Sequence, residues 1–330
     1  MPRITTACTA LMAAILLCGP AFPQEMQFFR IGTGSTESSN FKIGSSIVDA
    51  IAHPPGSPPC DAGKTCGVPG LVAIAQSTRG AALNVHRVQT GGVEAGVTDA
   101  ATLDAALTGT GPFKGEPADG LRVVTTLPSA TLYLVLPGAS PLAGLANLRG
   151  KRVGIGQDGS GTQVVAEQVL AALGITRDHY KEALLGSVQS AQRVTTGALD
   201  AYFTDEISHL GTKTDLRLHD WTAAELETGI AAVPQSSRVV IPADSASGTD
   251  GDIKTLAIAR LLITHADQSE DLIHAITRAL WSARGRELLV SQDRSGSRPA
   301  HATTTLRLEQ LDAPLHPGAK RYYVEAGLLR

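Results

Sequence analysis

Short apolar runs alternate with stretches of helical periodicity along most of the chain. Runs of about four to eight apolar residues between turn residues indicate buried strands, and apolar residues three or four positions apart indicate helices. Strands are predicted at residues 28–31, 71–74, 93–97, 121–127, 131–136, 151–155, 199–203 and 237–241. Helices are predicted at residues 43–51, 83–88, 100–107, 162–173 and 271–281. The alternation of the two predicts an α/β fold.

Two segments of the chain repeat one plan. Residues 87–99 align without a gap on residues 193–205, and both read as a helix end, a glycine cap, a strand and Thr-Asp at the strand end. A loop rich in glycine, serine and threonine precedes each copy, at residues 31–36 and 155–162. The repeat predicts two similar α/β lobes whose strand ends face each other across a cleft, where a small ligand would bind.

The path of the chain between the lobes is predicted from its β-rich segments. Residues 121–127 and 131–136 are nearly continuous and are predicted to cross into the second lobe, and residues 237–241 are predicted to return to the first. The predicted division is a first lobe of residues 25–126 and 239–330, discontinuous in sequence, and a second lobe of residues 127–238.

Residues 1–24 are predicted to be a signal peptide. Arg3 precedes an apolar run at residues 10–17, and small residues follow. The run is too short to span a bilayer. Leu17 is bulkier than the residue that normally precedes a lipoprotein cysteine, which disfavours Cys18 as a lipid site. We therefore expect an exported, periplasmic protein, with a membrane anchor as the alternative.

Composition narrows the class of protein. Of the 330 residues, 43% are hydrophobic and 18% are charged, and the formal net charge is −3. This length and hydrophobic content suit two domains with substantial cores. No basic excess marks a nucleic-acid binder. We therefore expect no nucleic-acid partner. The predicted cleft indicates a small-molecule ligand, and we expect the protein to be a monomer.

Two cysteines remain once the predicted signal peptide is removed. Cys60 and Cys66 lie close together in a loop rich in proline and glycine. In an oxidising compartment such a pair is most simply a disulfide that closes the loop. A zinc site that also uses His53 is the alternative, but the sequence offers no fourth ligand.

The loop that ends at residue 162 offers a site for an anion. Ser160, Gly161 and Thr162 begin a predicted helix, where backbone N–H groups have no partner within the helix and the helix dipole is positive. These residues are predicted to hold a carboxylate. Ser160 has an equally good interpretation as the helix cap, and the two roles are compatible.

The two Thr-Asp pairs end equivalent strands of the repeat. An aspartate at a strand-to-helix turn is most often a helix cap. Thr98, Asp99 and Asp205 are nevertheless candidates for the wall of the cleft, where a carboxylate can accept a hydrogen bond from a ligand ammonium group.

Motifs of catalysis or of cofactor binding are weak or missing. Gly154, Gly156 and Gly159 match the glycine spacing of a dinucleotide site, but no acidic residue follows at the end of a second strand. The sequence has no G-x-S-x-G nucleophile motif and no histidine pair at metal-ligand spacing. We therefore predict a binding protein that is not an enzyme and that uses no cofactor or metal.

Several short motifs carry a family resemblance through their order and spacing. The first is Phe-Phe-Arg-Ile-Gly-Thr-Gly-Ser-Thr at residues 28–36, and the others lie at residues 60–70, 75–78, 148–153, 159–162, 271–281 and 314–323. Together they resemble the TAXI family, the solute-binding receptors of tripartite ATP-independent periplasmic (TRAP) transporters. The resemblance covers nearly all of the chain after the predicted signal peptide.

The resemblance implies a type II periplasmic binding protein fold. It also implies a ligand such as glutamate or another small carboxylate, and delivery of that ligand to a TRAP membrane permease. Mapped motif by motif, the family's pocket falls on Gly34, Ser35, Thr36, Ser39, Asn40, Gln76, Ser77, Gly159, Ser160, Gly161 and Thr162. An enzyme on the same scaffold and a receptor for a signalling partner are the alternatives.

The chain departs from the family's pattern at the expected cleft. Glu37, Asp205 and Glu206 are acidic where the family is small, neutral or aromatic. A carboxylate that loses water when the cleft closes is costly unless a cation meets it. We therefore expect a ligand with an ammonium group as well as a carboxylate, such as an amino acid. The alternative is that these side chains face solvent or cap helices.

Overall fold

A computed structural model describes residues 26–60, 66–210, 215–243, 251–291 and 313–329. The predicted signal peptide lies outside the described residues. The strands are β1 (Gln27–Gly32), β2 (Ala52–His53), β3 (Val68–Pro69), β4 (Leu71–Gln76), β5 (Ala95–Asp99), β6 (Leu121–Pro137), β7 (Arg152–Gly154), β8 (Lys181–Ala183), β9 (Ala201–Thr204), β10 (Leu216–Leu218), β11 (Ser236–Ile241) and β12 (Ile253–His265). The helices are α1 (Ser39–Ile51), α2 (Ala81–Gln89), α3 (Ala100–Thr108), α4 (Gly161–Ala172), α5 (Ser187–Thr195), α6 (Ala223–Ala232), α7 (Glu270–Trp281), α8 (Ala283–Ser291) and α9 (Pro317–Glu325).

One curled sheet runs through both lobes. Its strand order is β4-β1-β5-β12-β6-β9-β7-β8, with β10 paired to β6 and β11 paired to β12. The strands of the first lobe, β4, β1 and β5, are parallel, and so are β9, β7 and β8 of the second. The long strands β6 and β12 lie between the two parallel groups and belong to both lobes. The predicted α/β fold with two lobes is confirmed.

The two long strands correct the predicted path of the chain. Residues 121–127 and 131–136 form the single strand β6, as their near continuity suggests. The return to the first lobe, however, is made by β12 and not by residues 237–241. Strand β11 pairs antiparallel with the half of β12 that lies in the second lobe, whereas the half that begins at Arg260 pairs with β5. The pairing therefore favours a lobe boundary near Ala259, later than the predicted boundary at residue 238.

Apolar side chains cover both faces of the sheet in each lobe. In the first lobe, Phe29 and Ile31 of β1 pack with Ile47 of α1 and with α7 in one cluster. In the second lobe, Val153 and Val169 belong to a separate cluster that includes the buried Trp221. Two further clusters cover the opposite faces. Each lobe therefore has its own core, and the cleft between the lobes is free to be polar.

The sequence repeat corresponds to a structural one. Helices α2 and α5 both end in a glycine with φ 72°, Gly91 and Gly197, the left-handed conformation that favours glycine at this position. One residue later, the amide donates to the carbonyl five positions back at 2.7 Å in both copies. Strands β5 and β9 follow, each antiparallel to one of the long strands. Asp99 and Asp205 therefore emerge at equivalent places on the two sides of the cleft.

The loop between β2 and β3 carries the predicted disulfide. Cys60 and Cys66 are bonded to each other, with 5.7 Å between their Cα atoms. His53 Nδ1 lies 3.7 Å from Cys66 Sγ. The three side chains are thus close enough for a metal site, but the disulfide uses the two sulfur atoms that would otherwise be the thiolate ligands.

A buried carboxylate joins three segments of the second lobe. Glu225, in the first turn of α6, accepts hydrogen bonds from the amide of Leu145 at 2.6 Å, from the amide of Thr222 at 2.8 Å and from His219 Nε2 at 3.1 Å. Burial opposes its ionisation, but these hydrogen bonds outweigh burial and lower the pKa of Glu225 to about 2. The charged form therefore stabilises the folded lobe.

We expect Glu225→Gln to lower the free energy of unfolding by about 1–3 kcal/mol at pH 7, because the amide has one acceptor oxygen and leaves a buried backbone N–H unsatisfied. A carboxyl whose pKa falls on folding stabilises at high pH, and this contribution is lost as the pH drops from about 4.5 towards about 2. Urea denaturation of both forms at several pH values measures the effect.

The exposed Glu227 on the same helix is the matched control, since Glu227→Gln should leave stability unchanged. If the difference in free energy of unfolding between wild type and Glu225→Gln stays constant down to pH 2.5, the stabilisation does not depend on the ionisation of Glu225.

Candidate functional site

The ends of equivalent strands from the two lobes meet around a small space that is partly open to solvent. We call it the central cavity; its volume is about 60 Å³. A larger space of about 360 Å³ adjoins it, and we call this the side chamber. The side chamber is lined by Ser39, Lys42, Ile43, Pro128, Ser129, Ala130, Thr131, Tyr133, Asp205, Glu206, Ile207, Ser208 and Arg260. Both spaces lie against the long strands β6 and β12.

Eight of the fourteen predicted ligand residues line the central cavity: Gly34, Ser35, Asn40, Asp99, Ser160, Gly161, Thr162 and Asp205. Ser39 lines the side chamber, and Ser77 lines an open pocket at the rim. The other four, Thr36, Gln76, Thr98 and Gly159, line none of these three spaces. Thr98 is fully buried within the sheet. A ligand contact for any of the fourteen remains a prediction.

The start of α4 forms one wall of the central cavity. Ser160 is the helix cap, since its Oγ accepts from the amide of Gln163 at 3.2 Å. The next two residues, Gly161 and Thr162, contribute the first amides of the helix, which have no acceptor within it. Gly156 and Gly159 before them have φ values of 100° and 75°, which side chains rarely adopt. The glycines of this loop therefore shape a turn that leads into the helix.

The start of α1 forms the opposite wall. Ser38 caps this helix, because its Oγ accepts from the amide of Phe41 at 3.3 Å. Because Ser38 supplies the cap, the hydroxyl of the neighbouring Ser39 can make contacts across the cleft. Ser39 Oγ donates to Asp205 Oδ2 at 2.5 Å and accepts from Arg260 Nη2 at 2.6 Å. A serine of the first lobe thus links an aspartate of the second lobe to an arginine on the shared strand.

Asp99 is both a helix cap and part of the cavity wall. Its two oxygens accept from the amide and the hydroxyl of Thr102, each at 2.8 Å. Burial raises the pKa of Asp99, although the bonds from Thr102 and the charge of Arg260 act in the opposite direction. Oδ2 faces the start of α4 so closely that a side chain at Gly161 would collide with it. The carboxylate of one lobe therefore approaches the helix start of the other.

Arg260 is the residue of the site that the sequence prediction missed. It lies on β12 directly opposite Asp99, is 5% exposed, and lines both the central cavity and the side chamber. Its Nη1 donates to the carbonyl of Pro128 at 3.2 Å. A single arginine within the apolar run of residues 253–265 was the available signal, but no strand was predicted there. A buried guanidinium in a cleft is a strong candidate for binding an anion.

Contacts between the lobes hold the cleft closed. The amide of Ala82 donates to the carbonyl of Gly159 at 3.1 Å. Lys42 Nζ lies 2.5 Å from Glu206 Oε2 and 3.1 Å from Ser208 Oγ. Burial disfavours the charged form of Glu206, but the bonds from Lys42 and Ser208 outweigh it, so the pKa of Glu206 is lowered. Glu206 is therefore neutralised by the protein itself, and it needs no cation from a ligand.

Comparison with known proteins places the chain in a family. A family model described as NMT1-like matches residues 31–327. The chain belongs to the NMT1-like family. Its predicted character as a solute-binding receptor without enzymatic activity agrees with this membership. The finer assignment to TAXI receptors is not part of this finding.

Solved structures share the fold of this NMT1-like chain at low sequence identity. MatC from Rhodopseudomonas palustris with bound malate is 15% identical, with a TM-score of 0.54 over 93% of this chain and 97% of that one. A structure described as a periplasmic transporter is 12% identical, with a TM-score of 0.51 over 93% and 94%. The alkanesulfonate-binding protein SsuA from Xanthomonas axonopodis pv. citri bound to MOPS is 15% identical, with a TM-score of 0.47 over 93% of each chain. The two-lobed binding-protein fold is thus confirmed.

Among the described residues, no helix is both long enough and apolar enough to cross a membrane.

The Lys42–Glu206 pair generates a test of lobe closure. Because the pair joins the two lobes and Glu206 is mostly buried, we expect Lys42→Met to favour the open form by about 1–2 kcal/mol, a factor of roughly 5–30. The variant should have a larger radius of gyration by small-angle X-ray scattering, and high salt should narrow its difference from wild type.

Lys114→Met is the control, since Lys114 is exposed and lies outside the cleft. Identical scattering of Lys42→Met and wild type at low salt would show that this pair does not hold the lobes together.

Proposed function

We propose that the protein is an extracytoplasmic receptor that encloses a small carboxylate solute between its two lobes and delivers it to a membrane transporter. The observation that carries this proposal is the central cavity, whose walls combine two helix starts, the guanidinium of Arg260 and the carboxylates of Asp99 and Asp205. Because the walls come from both lobes, a bound solute would stabilise the closed form, which is how such receptors signal occupancy to a partner.

The anionic end of the solute has three sources of positive potential. Arg260 is always charged and presents a planar fork that matches a carboxylate. Gly161 and Thr162 add amides at the positive end of α4. The structurally similar MatC is described with bound malate, which is a small carboxylate. That neighbour and the residues that line the central cavity support the same chemical class of solute.

A cationic group on the solute would meet Asp99. This carboxylate is buried, and burial raises its pKa, so an ammonium group beside it would stabilise its charged form. Asp205 is the second candidate, although Ser39 already donates to it. Together, Asp99 and Asp205 favour a zwitterionic solute such as an amino acid over a plain dicarboxylate.

The proposed partner is a TRAP permease. This choice rests on the motif resemblance to TAXI receptors, which extends along nearly all of the chain after residue 24. The predicted signal peptide supports a periplasmic location, where such a receptor meets the outer face of a permease. We propose that the protein acts there as a monomer.

A thermal-shift screen of amino acids, dicarboxylates and keto acids tests the proposed function. A true ligand at 100 times its dissociation constant stabilises the folded protein by about 2.7 kcal/mol. We expect at least one carboxylate solute to raise the melting temperature of wild type but not of Gly161→Val, whose side chain would collide with Asp99 on closure. Stabilisation by sugars or other neutral solutes alone would contradict the proposal.

The role of Asp99 is tested by Asp99→Asn. The amide keeps an oxygen that can accept from Thr102, so the cap of α3 should survive. We expect amino-acid binding to weaken by about 1.5–3 kcal/mol, the usual contribution of a hydrogen bond to a charged group, while plain dicarboxylates bind as well or better. Isothermal titration calorimetry measures both classes.

Asp104→Asn, on the same helix, is the matched control and should bind like wild type. An equal loss of affinity for amino acids and for plain dicarboxylates would show that Asp99 does not recognise a cation.

A further inference from the structure

Among the described residues, one group of histidine, cysteine and acidic side chains is compact enough to hold a metal ion. It consists of His53, Cys60 and Cys66, whose ligand atoms all lie within 4.8 Å of one another. None of the three lines the central cavity, the side chamber or the open pocket at the rim. The group is therefore separate from the proposed solute site.

Two of these ligands are positioned by the backbone as well as by the disulfide. His53 ends strand β2, which pairs in parallel with β3, and its carbonyl accepts from the amide of Gly70 at 2.9 Å. Cys66 is followed by Gly67, whose φ of 107° lets its Cα approach the carbonyl of Ala52 more closely than a side chain would allow. We therefore expect His53 and Cys66 to keep their places when the disulfide is absent.

The distance between these two ligands suits zinc. Nδ1 of His53 lies 3.7 Å from Sγ of Cys66. Zinc bonds of about 2.3 Å to sulfur and about 2.0–2.1 Å to nitrogen, at the tetrahedral angle, separate the two ligand atoms by about 3.6 Å. An ion could therefore bind both atoms without a large movement of either side chain. The sulfur of Cys60 completes a set of two thiolates, whose charge balances that of Zn²⁺, and one neutral imidazole.

The disulfide is accessible to a reductant. Cys60 is exposed and Cys66 is half-buried, and exposed disulfides are the ones that exchange with thiols most readily. A dithiol, such as that of a thiol–disulfide oxidoreductase, transfers two electrons and two protons to the bond and becomes a disulfide itself. Binding of Zn²⁺ to the two resulting thiols releases both protons to solvent. Water can take the fourth position of the ion, because the side of the group that carries Cys60 faces solvent.

We propose that the loop between β2 and β3 is a redox-controlled zinc site. In the oxidised protein Cys60 and Cys66 form the disulfide and bind no metal, and in the reduced protein they bind one Zn²⁺ together with Nδ1 of His53. Zinc and the disulfide use the same sulfur atoms, so a bound ion blocks reoxidation of the loop. This inference goes beyond the proposed solute receptor and does not depend on it.

Zinc titration of the protein before and after reduction tests this site. The probe is Zn²⁺ alone, and its dissociation constant is measured in competition with a chromophoric chelator after dithiothreitol has been removed under nitrogen. Cys60→Ser/Cys66→Ser lacks both thiols and reports any zinc that binds elsewhere. His53→Gln removes the nitrogen ligand, and His86→Gln, which changes an exposed histidine on α2, is the matched control.

We expect reduced wild type to bind one Zn²⁺ more than oxidised wild type or the double variant. His53→Gln should weaken binding of that ion by at least about tenfold, the lower range for loss of an outer-shell partner of a metal ligand, and His86→Gln should leave it unchanged. Bound zinc should also protect both thiols from alkylation until a stronger chelator removes the ion. Circular dichroism and melting curves check that each reduced protein stays folded.

Three results would overturn the inference. If reduced wild type binds no more zinc than the double variant, the loop is not a zinc site. Equal zinc affinity of His53→Gln and wild type would mean that His53 is not a ligand. Unfolding of wild type on reduction would show that the backbone alone does not hold His53 and Cys66 in place. None of these results bears on the proposed receptor function, which the thermal-shift screen tests separately.

Discussion

The antiparallel pairing of β6 with β12 is the constraint on which the arrangement of the two lobes depends. These are the strands that border both parallel groups, so the relative position of the lobes is set by their twist and register. The register shifts between Ile258 and Arg260, beside Pro128, which has no N–H to offer the ladder. A break in regular pairing at the boundary between two rigid cores is where bending costs least. Arg260 extends from this place, so a charge that faces the cleft is attached at the break in the regular pairing.

Closure of the cleft and the proposed binding of a solute draw on the same groups. Lys42 neutralises Glu206, and Ser39 joins Asp205 to Arg260, in each case across the gap between the lobes. Buried charges are costly unless they are paired or hydrogen-bonded, and in the closed form the opposite lobe supplies these partners. In an open form water would supply them. On the proposed function, a solute that adds contacts to both lobes would shift the equilibrium towards the closed form.

The repeat places Asp99 and Asp205 at equivalent positions, but the residues that follow each aspartate give the two different chemical surroundings. The same helix end, glycine turn and strand deliver Asp99 and Asp205 to the two sides of the cleft. Asp99 is then followed at once by a helix that it caps, whereas Asp205 is followed by a turn and accepts from Ser39 of the other lobe. One aspartate is consequently buried and fixed by its own helix, and the other is held by a contact that exists only while the lobes touch.

Local patterns in the sequence determined many of the elements and their order, because helix periodicity, glycine caps and serine caps act over a few residues. They were sufficient for β1, α1, β5, α4 and the disulfide loop, and for placing eight cleft residues on the correct loops. The tertiary structure alone decided the rest. The run of residues 253–265 carries no alternation, since it is buried on both faces of a shared sheet, and so its crossing path and Arg260 could not be predicted. The sequence also could not show that Lys42 pairs with Glu206 and that Ser39 donates to Asp205. The two residues of each pair are more than 160 positions apart and meet only across the gap between the lobes.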